Sequence, residues 1–177
     1  MTGLHEAAYV CGGPERVALV ALVELERAGR VRISSGGHRV SVLAREADDP
    51  ITAAALAAVP DTGRVLRAVL RDVASATAVA GLAAALRAEG VVAHRLLPTR
   101  LTSRGRRLRR SLTSDVTTER RTAVLGVPGI ADPRVRRIFE TPDPPPAASL
   151  LPKNRRWPDH AGPYDAPDRS GDSGGLP

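Results

Sequence analysis

Apolar and polar positions follow two different periods along this chain, and the switches between them mark its elements. Leu4 to Val10 predicts a short helix, and Gly12-Gly13 stops it because glycine reaches positive φ at little cost. Pro14 suits the first turn of a following helix, where its missing N–H removes no hydrogen bond, and Glu15 complements the dipole there. Val17, Ala18, Ala21, Leu22, Leu25 and Ala28 recur at helical spacing, so this helix runs to about Ala28 and closes at Gly29. The period then becomes two. Val31 and Ile33 flank Arg32, Val40 and Val42 flank Ser41, and Ser35-Gly36-Gly37 between them predicts the positive φ of a tight hairpin turn.

After a polar linker from Arg45 to Pro50 the helical spacing returns. Ile51 to Val59 forms a short Ala-rich helix stopped by Pro60. Asp61 or Thr62 caps the next, which carries Val65, Leu66, Val69, Leu70 and Val73 on one side. Ser75 or Thr77 caps a third through Ala88, Gly90 ends it, and Val91-Val92-Ala93 reads as a strand. Leu25, Gly29 and Val31 then match Leu86, Gly90 and Val92 at a constant offset, so two related units are expected, 4–43 and 51–97. Beyond them Thr102 looks like an N-cap, with Leu108, Leu112 and Val116 on one apolar face. Ala123-Val124-Leu125, a Gly126-Val127-Pro128-Gly129 corner and a helix opened by Asp132-Pro133 complete a set of C-terminal helices over 102–140. Val135, Ile138 and Phe139 are expected to pack down from that last helix.

The elements add up to a mostly α fold with small β-hairpins (α+β), arranged as winged-helix-like tandem units over 4–140. From Thr141 onward proline is scattered among Asp, Gly and Ser, a composition that buries too little apolar area to offset chain entropy; a disordered Pro-rich tail, 141–177, is expected. Trp157 and Tyr164 in it are either incidental or anchors on the domain or a partner.

Composition changes this picture in three ways. Only 2% of residues are aromatic, so Ala, Val and Leu must build the core, and small side chains suit close helix packing. The net charge is +7 and Lys153 is the only lysine, so arginine carries the basicity. That favours anionic partners, while a GC-rich coding sequence enriches Arg, Ala, Gly and Pro together and is the plainer explanation. The single Cys11 has no internal disulfide partner and no apolar run is long enough to span a bilayer, so a cytoplasmic protein without a transmembrane segment is expected.

Tyr9-Val10-Cys11-Gly12-Gly13-Pro14-Glu15-Arg16 resembles the Tyr-hydrophobic-x-Gly-Gly-Pro-x-Arg signature of an uncharacterised domain family of actinobacteria. The Ala/Leu-rich helix ending in Gly29-Arg30-Val31 and the Gly126-to-Pro133 stretch resemble later parts of the same pattern, over roughly 4–140. Many members of that family carry a membrane span and a Gly- or Cys-rich tail; this chain shows neither, and the resemblance implies no activity. Leu101-Thr102-x-x-Gly105-Arg106 is similar to a stretch following the reading helix in multiple-antibiotic-resistance-type and phenolic-acid-type repressors, which implies a winged helix.

Catalytic and metal chemistry find little footing. His5, His38, His94 and His160 are widely spaced, and no ligand pair sits at metal-binding spacing, so no cofactor is expected. Gly12-Gly13-Pro14 lacks a P-loop lysine and follows a helix instead of a strand, so a helix corner is its reading. Arg16 can donate to a carbonyl at that corner, pair with Glu6 or face a ligand. Tyr9, Gly12, Gly13, Pro14 and Arg16 form the motif to inspect. The expected reading helix, Ala76 to Ala88, offers DNA only Thr77 and Arg87, which argues against base readout. Phosphate contact is better served: Arg95, Arg100, Arg104, Arg106, Arg107, Arg109 and Arg110 lie together with no acid among them, the next being Asp115. A non-catalytic interaction or accessory module with an unidentified protein partner is therefore expected; the alternative is a DNA-binding or transcription-regulatory winged-helix protein that uses those arginines, in non-specific phosphate contact, and the hairpin of residues 31–42 as a wing.

Overall fold

The computed structural model describes residues 3–93 and 100–142; the proline-rich tail beyond them, Arg95 and the end of the second expected unit lie outside it. Helix α1, Leu4–Arg27, is the organising element. It is two helices joined at a kink, because Gly13 alone leaves helical geometry with φ 73° and ψ −164°. Pro14 opens the second arm, whose helical hydrogen bonds do not need its nitrogen. Val17, Ala18, Leu19, Val20, Ala21 and Leu22 are all buried, so this arm is covered on every side instead of along one stripe. Ala28, expected at the end of that stripe, is exposed as the C-cap.

The other elements wrap α1. Strands β1, Val31–Ile33, and β2, Arg39–Val42, form the expected hairpin, with Val31 opposite Val42 and Ile33 opposite Val40. The positive φ of its loop falls on His38 (φ 44°), not on Gly36 or Gly37. Helix α2, Pro50–Ala57, is capped by Asp49, whose Oδ1 accepts from the N–H groups of Ile51 and Thr52. Neither Asp61 nor Thr62 caps the next helix. Arg64–Val65 is instead a short strand, β3, antiparallel to β2, and α3 starts only at Leu66 and ends at Ala74. Backbone pairing to the exposed edge of β2 outweighs side-chain capping here: the Leu66 N–H donates to the His38 carbonyl at 2.7 Å. Val65, expected on the apolar face, is consequently 38% exposed.

Helix α4, Thr77–Ala88, follows after a bend of 42°. Its N-cap is Ala76, without a side-chain bond; Ser75 Oγ donates backward to the carbonyls of Arg71 and Asp72. The ends of α1 and α4 are built alike. Gly29 and Gly90 have φ 70° and 69°, and the next residue's N–H returns to Leu25 in one and Leu86 in the other. The strand expected at Val91-Val92-Ala93 reduces to one bridge between Val92 and Leu101. Helix α5, Ser103–Ser114, is capped by Thr102 Oγ1 on the Gly105 N–H as expected. It turns Gly105 and Leu112 inward, with Leu108 half-buried, and it stops before Val116, which is exposed. Helix α6, Arg121–Leu125, a 3-10 turn at Val127–Gly129 and α7, Pro133–Glu140, close the domain. Asp132 Oδ1 caps α7, and Val135 and Ile138 are buried beneath it.

Candidate functional site

The Gly-Gly-Pro kink is a packing device built around Arg16. Its Nη1 donates to the carbonyls of Val124 at 3.0 Å and Ala123 at 3.3 Å, so the guanidinium caps the C-terminal end of α6. Glycines flank its path. A Cβ on Gly126 would stand 2.6 Å from Arg16 Cζ, and one on Gly12 would stand 2.7 Å from Arg16 Cβ and 3.0 Å from Nε. Gly126 also has φ 76°, which disfavours any L side chain. Arg16 therefore reaches across to a carbonyl, as one of its expected roles had it, but to one far along the chain and not at its own corner. Glu6, the other expected partner, accepts from the Gly3 N–H at the start of α1.

Arg16 Nη2 and Nε make no hydrogen bond to the described residues, and no carboxylate there pairs with it. Burial pushes its pKa down; the Cys11 thiol raises it slightly and Arg109 lowers it further. Arg16 and Gly12 form part of the wall of an open groove of about 740 Å³. Leu19, Leu70, Val127, Ile138 and Phe139 give the groove its apolar surface, and Glu15, Arg67 and Arg71 stand along it. Tyr9 faces a smaller hollow of about 200 Å³ with Pro14, Val79 and Arg87, so the motif's two polar side chains serve opposite sides of Pro14. Burial raises the Tyr9 pKa, against a smaller lowering by Arg87.

The arginine cluster maps onto one helix. Arg104, Arg106, Arg107, Arg109 and Arg110 are all exposed on α5, and Arg100 is exposed just before it. Arg106 folds back, with Nη1 on the Leu101 carbonyl and Nη2 on Ser103 Oγ. None of the six has an acidic partner among the described residues. The reason is local: Gly105, Leu108 and Leu112 take the inward face, leaving the charged residues no side except the outer one. Gly105 allows the closest approach, since a Cβ there would lie 2.2 Å from the Val91 carbonyl oxygen.

The remaining titratable groups are scattered. Cys11 is buried and its thiol is pushed up by that burial, with Arg109 and Arg16 opposing, so it is a poor nucleophile. His5 Nδ1 lies 3.7 Å from Asp49 Oδ1 while its Nε2 is buried without a hydrogen-bond partner among the described residues. Burial of His5 outweighs the nearby Asp49 and Glu24, and its pKa is lowered. Among the described residues no three His, Cys, Asp or Glu side chains gather as a metal site would require; His94 and His160 lie outside them.

No single described helix is long and apolar enough to cross a membrane; by length and composition only α3 and α4 taken together pass that test, and they are bent at Ser75-Ala76. No family model, curated protein or solved structure matches the chain. Sequence reasoning missed the groove, whose walls come from α1, α3 and α7, and missed Gly126 as the partner of Arg16. A faint signal existed: Gly126 opens a Gly-Val-Pro-Gly corner, a second glycine-rich break in an otherwise helical chain.

Proposed function

We propose that the protein is a non-catalytic interaction module of the cytoplasm that engages an anionic partner through α5. The observation that supports this most is the outer face of that helix, where five arginines stand exposed and have no acidic partner among the described residues. Arginine in this setting suits carboxylate and phosphate, because its planar fork donates two parallel hydrogen bonds. An acidic protein surface is the first reading.

Nucleic acid is the second, favoured by the order of elements. The helices α3 and α4, the Val92–Leu101 bridge and α5 follow one another as a helix pair and wing would. The outer face of α4 is Thr77, Ala80, Gly81, Ala84, Ala85 and Ala88, with Thr77 at the helix start its one group able to hydrogen-bond a base edge. Any such binding is to phosphate and independent of sequence.

Fluorescence anisotropy of the whole chain against labelled polyglutamate and a labelled DNA duplex, titrated with salt, tests both readings. Five phosphate contacts give a log K against log salt slope of about −4.5. Replacing Arg104, Arg106, Arg107, Arg109 and Arg110 by Ala is expected to abolish the dominant interaction. Binding that survives those changes refutes α5 as the surface, and no binding to either polymer near physiological salt refutes both readings.

A further inference from the structure

The groove beside the kink has a chemistry that the arginine helix does not explain. Two parallel rows of α3 face it. Leu66, Leu70 and Ala74 recur at one helical spacing, and Arg67, Arg71 and Ser75 repeat that spacing one residue on. The first row supplies an apolar floor, continued by Leu19, Ile138 and Phe139; the second supplies a cationic rim. The volume of about 740 Å³ lies in the range of small-molecule sites.

Arg16 sets the polarity of the far wall. It is half-buried, with Nη1 committed to α6 and with Nη2 and Nε unbonded to the described residues. Among the described residues no carboxylate offsets the desolvation of this guanidinium in its largely apolar wall. Its Nε and Nη2 form the edge that matches a carboxylate with two hydrogen bonds. Glu15 is the only acid among the described residues that line the groove; it is exposed and disfavours a ligand with more than one negative charge.

We propose that this groove binds an amphipathic monocarboxylate, its apolar body on Leu19, Leu70, Ile138 and Phe139 and its head between Arg16 and Arg71. The charge balance and the floor select together: an uncharged amphiphile leaves Arg16 without a carboxylate among the described residues, and a cationic one meets the guanidinium groups of Arg16 and Arg71. This site is separate from the outer face of α5, and its occupancy does not depend on what that helix binds.

The test is isothermal titration of the whole chain with dodecanoate, below its micellar concentration, beside dodecyltrimethylammonium as the cationic counterpart. One dodecanoate per chain is expected with micromolar affinity, and the ammonium compound is expected to bind at least about tenfold more weakly. Arg71→Glu, an exposed change, is expected to weaken dodecanoate about tenfold, as is Leu70→Gln on the floor. Arg16→Gln is expected to do the same; should it impair folding, seen by circular dichroism, the Arg71 and Leu70 variants decide. An α5 variant with Arg104, Arg106, Arg107 and Arg110 changed to alanine, keeping Arg109 because its charge acts on Arg16, is expected to bind dodecanoate unchanged. Equal binding of the two amphiphiles, no saturable binding, or loss of binding only in the α5 variant overturns the proposal.

Discussion

Replacing Gly126 by alanine tests whether the kink motif exists to hold Arg16. Two costs are separable. The backbone at Gly126 has φ 76° and ψ −139°, a region open to glycine and strained for an L residue by about 1–2 kcal/mol. The new Cβ would also stand 2.6 Å from Arg16 Cζ and Nη2, too close for the guanidinium to stay. Its two bonds to the Ala123 and Val124 carbonyls would then be lost, at roughly 1.5–3 kcal/mol for a charged donor. Gly126→Ala alone should therefore cost about 2.5–5 kcal/mol. In a chain already carrying Arg16→Ala the second cost has been incurred, and adding Gly126→Ala should cost only about 1–2 kcal/mol. Urea unfolding of the parent, the two single variants and the double variant gives the coupling directly, expected at about 1.5–3 kcal/mol. If the two changes add within about 0.5 kcal/mol, Arg16 does not depend on the space above Gly126 and the reasoning fails.

Two further expectations concern stability. The lowered His5 pKa means that the unfolded chain binds the proton more readily, so stability should decline as pH falls through about 6.5 and level off below the folded-state pKa. Urea midpoints across that window should show the slope for the parent and a smaller one for His5→Phe; equal slopes would place the proton elsewhere. Gly105→Ala puts a Cβ 2.2 Å from the Val91 carbonyl oxygen, and the overlap with rigid backbone should cost about 1–3 kcal/mol, read as a lowered Tm. An unchanged Tm would show that α5 can shift outward without loss.

Much of the local structure follows from short-range chemistry and was legible in the residues. Gly29, Thr102, Asp132 and Pro133 each act within one helical turn, so their caps and stops stand where the chain order places them. Elements were misread where a distant neighbour intervened. Val65 joins α3's apolar pattern by spacing, yet pairing with Arg39 on β2 takes it into a strand. Val116 continues the Leu108-Leu112 row, but α5 ends at Ser114 and Val116 is left 36% exposed.

The candidate surfaces divide in the same way. That Arg104 to Arg110 would be solvated is settled by sequence, because five cations interleaved with Gly105 and Leu108 leave only one face able to pack. Gly12-Gly13-Pro14 likewise had to break a helix. What the break is for depended on tertiary structure alone. Arg16 is aimed at α6 because the kink turns the second arm of α1 against residues more than a hundred positions away, and no local interaction encodes that contact. The groove is a product of the same packing: α1, α3 and α7 each contribute an ordinary amphipathic face, and only their approach leaves an apolar floor beside the Arg16 guanidinium.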